Sequence, residues 1–321
     1  MIAPVRMVTV LKLRRLDLIV ASPLRLSLKL TSSTFHPSVG ELCDLTEAAE
    51  SLGLYCVYVS DHIVRPIDAM GWPFGVNDDY FEALTTLSYL AARTRRVRLG
   101  TNVIVAPLRN PVALAKSMAC LDVLSGGRAT MGIAPGYLSE EFPAVGAPEF
   151  RERGAVTDEV ISICQGLWTE GAFRFTGRHF TFEPISMMPK PLQSPSIPIY
   201  VGGNSIYAIR RVSEYGNGWQ PTHLSLRELS LGIQELNRLG VNGENERRIW
   251  IAPQVLIERT YGEGRDTVVR NAVRGTPEEI AASLESMRLI GADEVIADMR
   301  TTPTREIIRF LGELVQVLDC A

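Results

Sequence analysis

Apolar and polar positions along this chain follow two periods, and the periods take turns. The segment "LRLSLKL" (24–30) alternates residue by residue, the mark of a strand with one buried face. The stretch after it, "HPSVGELCDLTEAAESLG", changes to a helical period. Leu42, Leu45, Ala49 and Leu52 fall on one face, Ser38 and Glu41 stand in capping-box spacing, and Gly53 supplies a stop. A β-prone run from about 54 to 60 follows directly. The unit then recurs: a helix from about Tyr80 to Arg93 feeds the strand "VRLGTNVIVA", and Asn110 and Pro111 read as N-cap and first residue of a helix ending near Gly126 and Gly127. Strand "RATMGIA" precedes a helix from about Arg153 to Trp168, and strand "PIYVGG" leads into "NSIYAIRRVSEYG". The short strand "GWQP", a helix near 225–239 and the strand "IWIAPQVLIE" come next. Thr276, Pro277 and Glu279 cap a helix whose strand is "DEVIADM", and Thr304 opens the last helix.

Eight strand–helix pairs imply a parallel sheet with right-handed crossovers, closed into an α/β fold of the (β/α)8 TIM-barrel type. A doubly wound open sheet is the alternative. It is disfavoured because no G-x-G-x-x-G follows the first strand. One interruption stands out at about 169–196. Alternating aromatics around Thr-Gly in "FRFTGRHFTFE" predict a small β-hairpin, and the Pro-rich "MMPKPLQSPSIP" predicts a surface excursion, the whole read as a lid-like insertion over the barrel mouth. Residues 24–321 are expected to form a single barrel domain. Residues 1–23 carry dispersed basic residues and the short apolar stretch "LDLIVASP", too short for a secretory signal, and read as a poorly ordered N-terminal extension.

Composition narrows the function. The 321 residues are 46% hydrophobic and 21% charged with a net charge of -3, which fits a soluble globular protein and gives no basic footprint for nucleic acid. No apolar run approaches the roughly 18 residues of a membrane helix. The five cysteines (Cys43, Cys56, Cys120, Cys164, Cys320) are scattered and read as free thiols of a cytoplasmic protein. No grouping of histidines and carboxylates has metal-ligand spacing, so no metal is expected.

In a barrel of this kind the C-terminal strand ends converge on one face and build the site. They are Ser60-Asp61-His62, Thr101-Asn102-Val103, Pro135-Gly136-Tyr137, Gly202-Gly203-Asn204-Ser205, Thr222-His223, Glu258-Arg259 and Met299-Arg300. A carboxylate and an imidazole closing a core strand are cheap to hydrate at the mouth and costly anywhere deeper, so Asp61 and His62 are site candidates; a plain strand exit is the alternative. Gly202-Gly203 before a helix leaves backbone open to close approach and suits a phosphate, or serves as a simple turn. His179, in the hairpin, reads as a surface residue, and His223 has no carboxylate near it in sequence. Trp72, Phe74, Tyr80 and Phe81 in the long second loop could contact a planar ligand or form that loop's own core.

From about residue 24 onward the chain resembles the luciferase-like monooxygenase superfamily, and within it the coenzyme F420-dependent oxidoreductases. The resemblance is carried by "EAAESLGLYCVYVSDH", "RVRLGTNVIVAPLRNPVALAK", "LDVLSGGRATMGIAPGYLSEEF", "RERGAVTDEVISICQGLW" and "PIYVGGNSIYAIRRVSEYGNGW", in that order. It implies a TIM barrel, in agreement with the strand count. It also implies a flavin-like ring across the mouth, with a non-proline cis peptide at Asn102–Val103 and with Val105, Pro135 and Gly136 lining the same cleft. Gly202, Gly203, Ser205 and Ile206 match the positions that hold the cofactor's phosphate. Asp61 matches a residue touching the cofactor's head group, and His62 the histidine that exchanges a proton with substrate.

The cofactor so implied is coenzyme F420, with hydride transfer to or from a small organic substrate. The alternative within the superfamily is an FMN-dependent monooxygenase using reduced flavin and O2, partnered by a flavin reductase. A non-catalytic flavin- or deazaflavin-binding barrel is the alternative of another class, and a Schiff-base aldolase, with Lys29 as its lysine, a third. One departure matters: Tyr137 stands where the sugar-phosphate dehydrogenases carry a glutamate, which argues against glucose 6-phosphate. The resemblance further implies a homodimer paired through the early helices, a small-molecule substrate, and neither nucleic acid nor membrane as partner.

Overall fold

Each capping signal in the chain sets the start of a helix that packs outside a ring of strands. Ser38 accepts a hydrogen bond from the Glu41 N–H, and the Glu41 carboxylate accepts one from the Ser38 N–H at 2.9 Å, so the capping box forms and helix Val39–Ser51 buries Leu42, Leu45 and Ala49. Gly53, at φ 75°, turns the chain back. Asn110 caps helix Pro111–Ser125, which ends on left-handed Gly126 at φ 73°. Boxes at Ser225–Glu228 and Thr276–Glu279 open helices Leu226–Arg238 and Pro277–Leu289. The computed structural model describes residues 23–30, 38–64, 80–240, 248–259, 271–299 and 302–319. The expectation for residues 1–22, and the readings of Trp72, Phe74, Arg300 and Cys320, lie outside the described residues.

Eight strands make the ring: Arg25–Leu30, Cys56–Val59, Arg98–Thr101, Ala129–Ala134, Ile199–Gly202, Gly218–Gln220, a seventh in two pieces (Trp250–Ile251 and Gln254–Arg259), and Glu294–Asp298. Every neighbouring pair is parallel: Leu28 stands beside Val57, Val57 beside Leu99, Leu99 beside Ala129, and Met131 beside Ile199. Val201 then pairs with Trp219, Trp219 with Ile251, Val255 with Ala297, and Ala297 with Leu28 again. Trp250–Ile251 ends the strand order on one side and Gln254–Arg259 pairs with the eighth strand on the other, so the single stretch 250–259 closes the expected barrel, with the short strand Val273–Gly275 added along Gln254–Arg259. After the third strand, Ile104–Val105 resumes the same stave and pairs with Ile133 and Ala134.

Large and absent side chains alternate inside the ring. An ideal Cβ on Gly100 would stand 2.4 Å from the Tyr58 ring, and one on Gly218 would stand 2.6 Å from the Tyr200 ring. Each glycine sits directly across from its tyrosine on the next strand. The two rings therefore fill the middle of the barrel with Cys56, Ala252 and Ile296. Below them lie Glu294 and Ser27, and the Arg25 guanidinium covers the Tyr55 and Trp250 rings at 4.3 and 4.5 Å.

The hairpin predicted in the interruption is present, as Phe173–Thr176 and Thr181–Ile185. It packs along the outside of one helix. The Glu159 carboxylate, on helix Arg153–Thr169, accepts from the N–H groups of Arg178, His179 and Phe180, and the Phe173 ring packs on Gly166 of that helix. Further along, Gln193 binds Arg98, Ala129 and Asp122, residues at the N-terminal end of the barrel. The hairpin thus lies along one helix with its tip at Glu152, beside that helix's N-terminus, while the segment after it runs to the N-terminal end of the barrel. The Phe side chains of the hairpin had a hydrophobic partner on that helix, which the pattern of the insertion alone could not locate. His179 is also less exposed than expected, its side chain only 12% accessible.

Candidate active site

The second strand leaves the barrel through Ser60, Asp61 and His62, and the two titratable groups go to different partners. Asp61 is buried. Its Oδ2 accepts from the Val105 N–H at 3.1 Å, and both oxygens are bound by the Arg109 guanidinium. Arg109 also meets Glu82 at 2.7 Å, and Glu82 caps helix Ala83–Arg93 through the N–H groups of Leu84 and Thr85. Burial raises the pKa of the Asp61 carboxyl, with Arg109 opposing it. The chain Asp61–Arg109–Glu82 therefore fixes the exits of the second and third strands to one helix.

His62 points to a second carboxylate. Its Nδ1 lies 2.9 Å from Glu141 Oε2, and Glu141 Oε1 accepts from the Ile63 N–H at 3.2 Å. The imidazole and carboxylate side chains are 8% and 2% exposed. Tyr80 and Tyr137 approach the imidazole edge-on, with ring centroids at 5.3 and 5.9 Å. Glu141 comes from the loop after the fourth strand and opens the short helix Glu141–Ala144.

The third, fourth and fifth strand exits interlock. The Asn102–Val103 peptide is cis. Asn102 is buried, its amide donating to Gln220 Oε1 at 3.3 Å. Val103 packs where a side chain on Gly202 would otherwise be, an ideal Cβ there falling 2.8 Å from Val103 Cγ1. Val105 does the same at Gly136, at 2.5 Å, and Gly136 holds φ 81°. Pro135 and Gly136 are half-buried and Tyr137 is exposed. Gly203, at φ 117°, turns the fifth strand into helix Ile206–Tyr215, whose N-cap Ser205 accepts from the Ala208 N–H. Asn204, Ser205 and Ile206 are exposed there, with no acidic residue in the first turn.

The eleven sequence-nominated residues thus occupy the exits of four consecutive strands, one arc of the mouth. His62 neighbours Tyr137, Gly136 touches Val105, Val105 binds Asp61, and Val103 touches Gly202. Sequence reasoning missed Glu141, Arg109 and Gln220. Glu141 lies within the quoted "GYLSEEF", but nothing in that string distinguishes it from Glu140. Across the mouth, His223 (φ 51°) brings its ring to 3.9 Å from Asp298, a carboxylate from the eighth strand that no local spacing could reveal. Among the described residues no cluster has the makings of a metal site, and no helix is long and apolar enough to cross a membrane.

Comparison with known proteins gives a consistent picture. The family model described as luciferase-like monooxygenase matches residues 16–263. An F420-dependent glucose-6-phosphate dehydrogenase of Kineococcus radiotolerans is 35% identical over 199 residues, 61% of this chain and 56% of that protein. An FMNH(2)-dependent dimethylsulfone monooxygenase of Pseudomonas putida is 25% identical over 217 residues, 67% of this chain and 60% of that protein. The chain therefore spans less than two thirds of the length of these relatives. Among solved structures, an F420-dependent secondary alcohol dehydrogenase in complex with an F420–acetone adduct superimposes with a TM-score of 0.78 at 16% identity, covering 92% of this chain and 99% of that one. The monooxygenase RslO1 of Streptomyces bottropensis does so with a TM-score of 0.74 at 24% identity, covering the same shares.

Proposed function

The chain belongs to the luciferase-like monooxygenase family, and from that premise we propose that it is a deazaflavin (F420)-dependent oxidoreductase acting on a small organic substrate. The observation that carries this reading is the placement of His62, with Glu141 at its Nδ1, on the same arc of strand exits as Val103 and the Gly202-Gly203 turn.

The residues present fit such a cofactor. Gly202 and Gly136 are positions where any side chain would collide with Val103 or Val105, so the wall they form stays thin and flat. Asn102, Val103, Val105, Pro135 and Gly136 would border the ring. Gly203, Ser205 and Ile206 stand at the N-terminus of a ten-residue helix, where N–H groups and the helix dipole favour a phosphate. Gln220 is fully buried beneath Asn102, and its Nε2 has no hydrogen-bond partner among the described residues, a donor available to a polar ring edge. Asp61, with both oxygens taken by Arg109 and Val105, supports this wall and reaches a head group only at the expense of those bonds.

When bound, the deazaflavin supplies two-electron redox chemistry. His62 holds or takes the proton that the substrate oxygen exchanges, a task suited to an imidazole near neutral pH. Tyr80 and Tyr137 flank it and restrict water. Tyr137 at the fourth strand exit favours a substrate other than a sugar phosphate. FMN monooxygenase chemistry is the second reading, supported by the Pseudomonas relative.

Titrating the protein with F420 and FMN, each oxidised and reduced, tests the choice. The proposal expects F420 to bind more tightly in both states; tighter binding of reduced FMN, with O2 consumption, would replace it with the second reading. In a panel of small alcohols, His62→Ala is expected to lower turnover about 100-fold or more while F420 affinity stays within a few-fold. Undiminished turnover would remove His62 from this role. Tight F420 binding with no reactivity across the panel would point to a non-catalytic barrel.

A further inference from the structure

We propose that Glu141 is a positioning residue that locks His62 in its Nδ1–H tautomer, so that the ring gives and takes protons at Nε2. The inference rests on the proton-exchanging role of His62 given above, and its physical content is a hydrogen-bond accounting. The Ile63 N–H can only donate, so Glu141 Oε1, 3.2 Å away, must accept. The other oxygen, Oε2, faces His62 Nδ1 at 2.9 Å. An ionised carboxylate has acceptors only, which places the proton of the neutral ring on Nδ1. With the two side chains 8% and 2% exposed, water competes poorly for either end of the bond.

The backbone around Glu141 is anchored for this purpose. Phe142, the next residue, is buried against Val105 and Leu108 and meets the Phe150 ring edge-on at 5.0 Å. Tyr80 and Tyr137 hold the imidazole from the sides, so its plane and its tautomer are set by different groups. A proton leaving a substrate hydroxyl arrives on Nε2 and forms an imidazolium. Its Nδ1–H remains directed at Glu141, which keeps its charge and receives no proton. In the reverse direction Nε2 returns the proton and the neutral Nδ1–H form is restored.

Imidazole 15N NMR on histidine-labelled protein, at a pH where the rings are neutral, tests this directly. The chain has four histidines, and His62→Gln assigns the signal. The expected wild-type spectrum shows a protonated Nδ1 and an unprotonated Nε2. In Glu141→Gln the amide must keep its oxygen on the Ile63 N–H, which turns its NH2 toward Nδ1, and the ring is expected to switch to the Nε2–H form. A wild-type ring protonated at Nε2, or a folded Glu141→Gln protein with the wild-type tautomer, overturns the proposal. If Glu141→Gln does not fold, the wild-type spectrum alone decides. The outcome is separable from the functional reading: full turnover by His62→Ala would end that reading while the tautomer switch would still stand or fall by the spectrum.

Discussion

Replacing Glu294 by Gln should flatten the pH dependence of stability without touching the mouth. Glu294 begins the eighth strand at the lower pole. Its Oε1 accepts from Ser27 Oγ at 2.5 Å and its Oε2 from Trp250 Nε1 at 3.2 Å, and the side chain is fully buried. Burial raises its pKa from 4.5 to about 7, against the opposing pull of its hydrogen bonds and Arg25. The unfolded chain releases this proton near the ordinary value, so between there and about 7 the folded state binds more protons and stability falls as pH rises. At about 1.4 kcal/mol per pH unit, the whole displacement is worth about 3 kcal/mol of stability, present below pH 4.5 and lost above pH 7. Cys56 and Tyr58 nearby are pushed well up by burial and stay protonated throughout, which leaves Glu294 as the group of this cluster titrating in the window. Gln keeps an oxygen for Trp250 and an amide toward Ser27 but cannot ionise. Urea unfolding of both proteins from about pH 5 to 8 should show the Gln variant gaining on wild type by about 2.5 kcal/mol across the range. Parallel curves would refute the assignment, and so would a variant that loses stability equally at every pH.

Other perturbations probe the mouth and the hairpin. Gly202→Ala puts a methyl 2.8 Å from Val103 Cγ1 and should weaken binding of the proposed F420 about tenfold, an overpacking cost of about 1–2 kcal/mol, with far-UV circular dichroism unchanged. Asp61→Ala strands Arg109 beside Glu82 and leaves the Val105 N–H without its acceptor; urea denaturation should register a loss of about 3 kcal/mol, and a near-neutral change would mean that the buried pair is not structural. Glu159→Ala removes the acceptor shared by the N–H groups of Arg178, His179 and Phe180, so hydrogen exchange should accelerate at those three amides while affinity for the proposed cofactor holds. A large loss of cofactor affinity there would make the hairpin part of the mouth.

Local chemistry was legible in the sequence wherever a rule acts within a few residues. Ser38 with Glu41, Thr276 with Glu279, and Asn110 with Pro111 each name a helix start, and the structure has them all. The strand exits followed because alternating units leave only one closed arrangement. What was not legible depends on long-range pairing. Glu140 and Glu141 are equivalent as letters, and only the fold turns one to solvent and the other to an imidazole 79 positions earlier. Asp61 was matched to a cofactor contact by resemblance, yet its oxygens serve Arg109, 48 residues on. The hairpin was recognised correctly as an element. Its docking site depended on Glu159 and Gly166, whose free faces no periodicity marks.

The two tyrosines seated in their glycine notches have a consequence for traffic. With the shaft stoppered at mid-height and the underside capped by stacked rings around Arg25, the molecule is a cup rather than a tube. Its interior can then be reached from the mouth side alone. One-sided access is a property of the scaffold's shape, set by two glycine–tyrosine pairs on neighbouring strands.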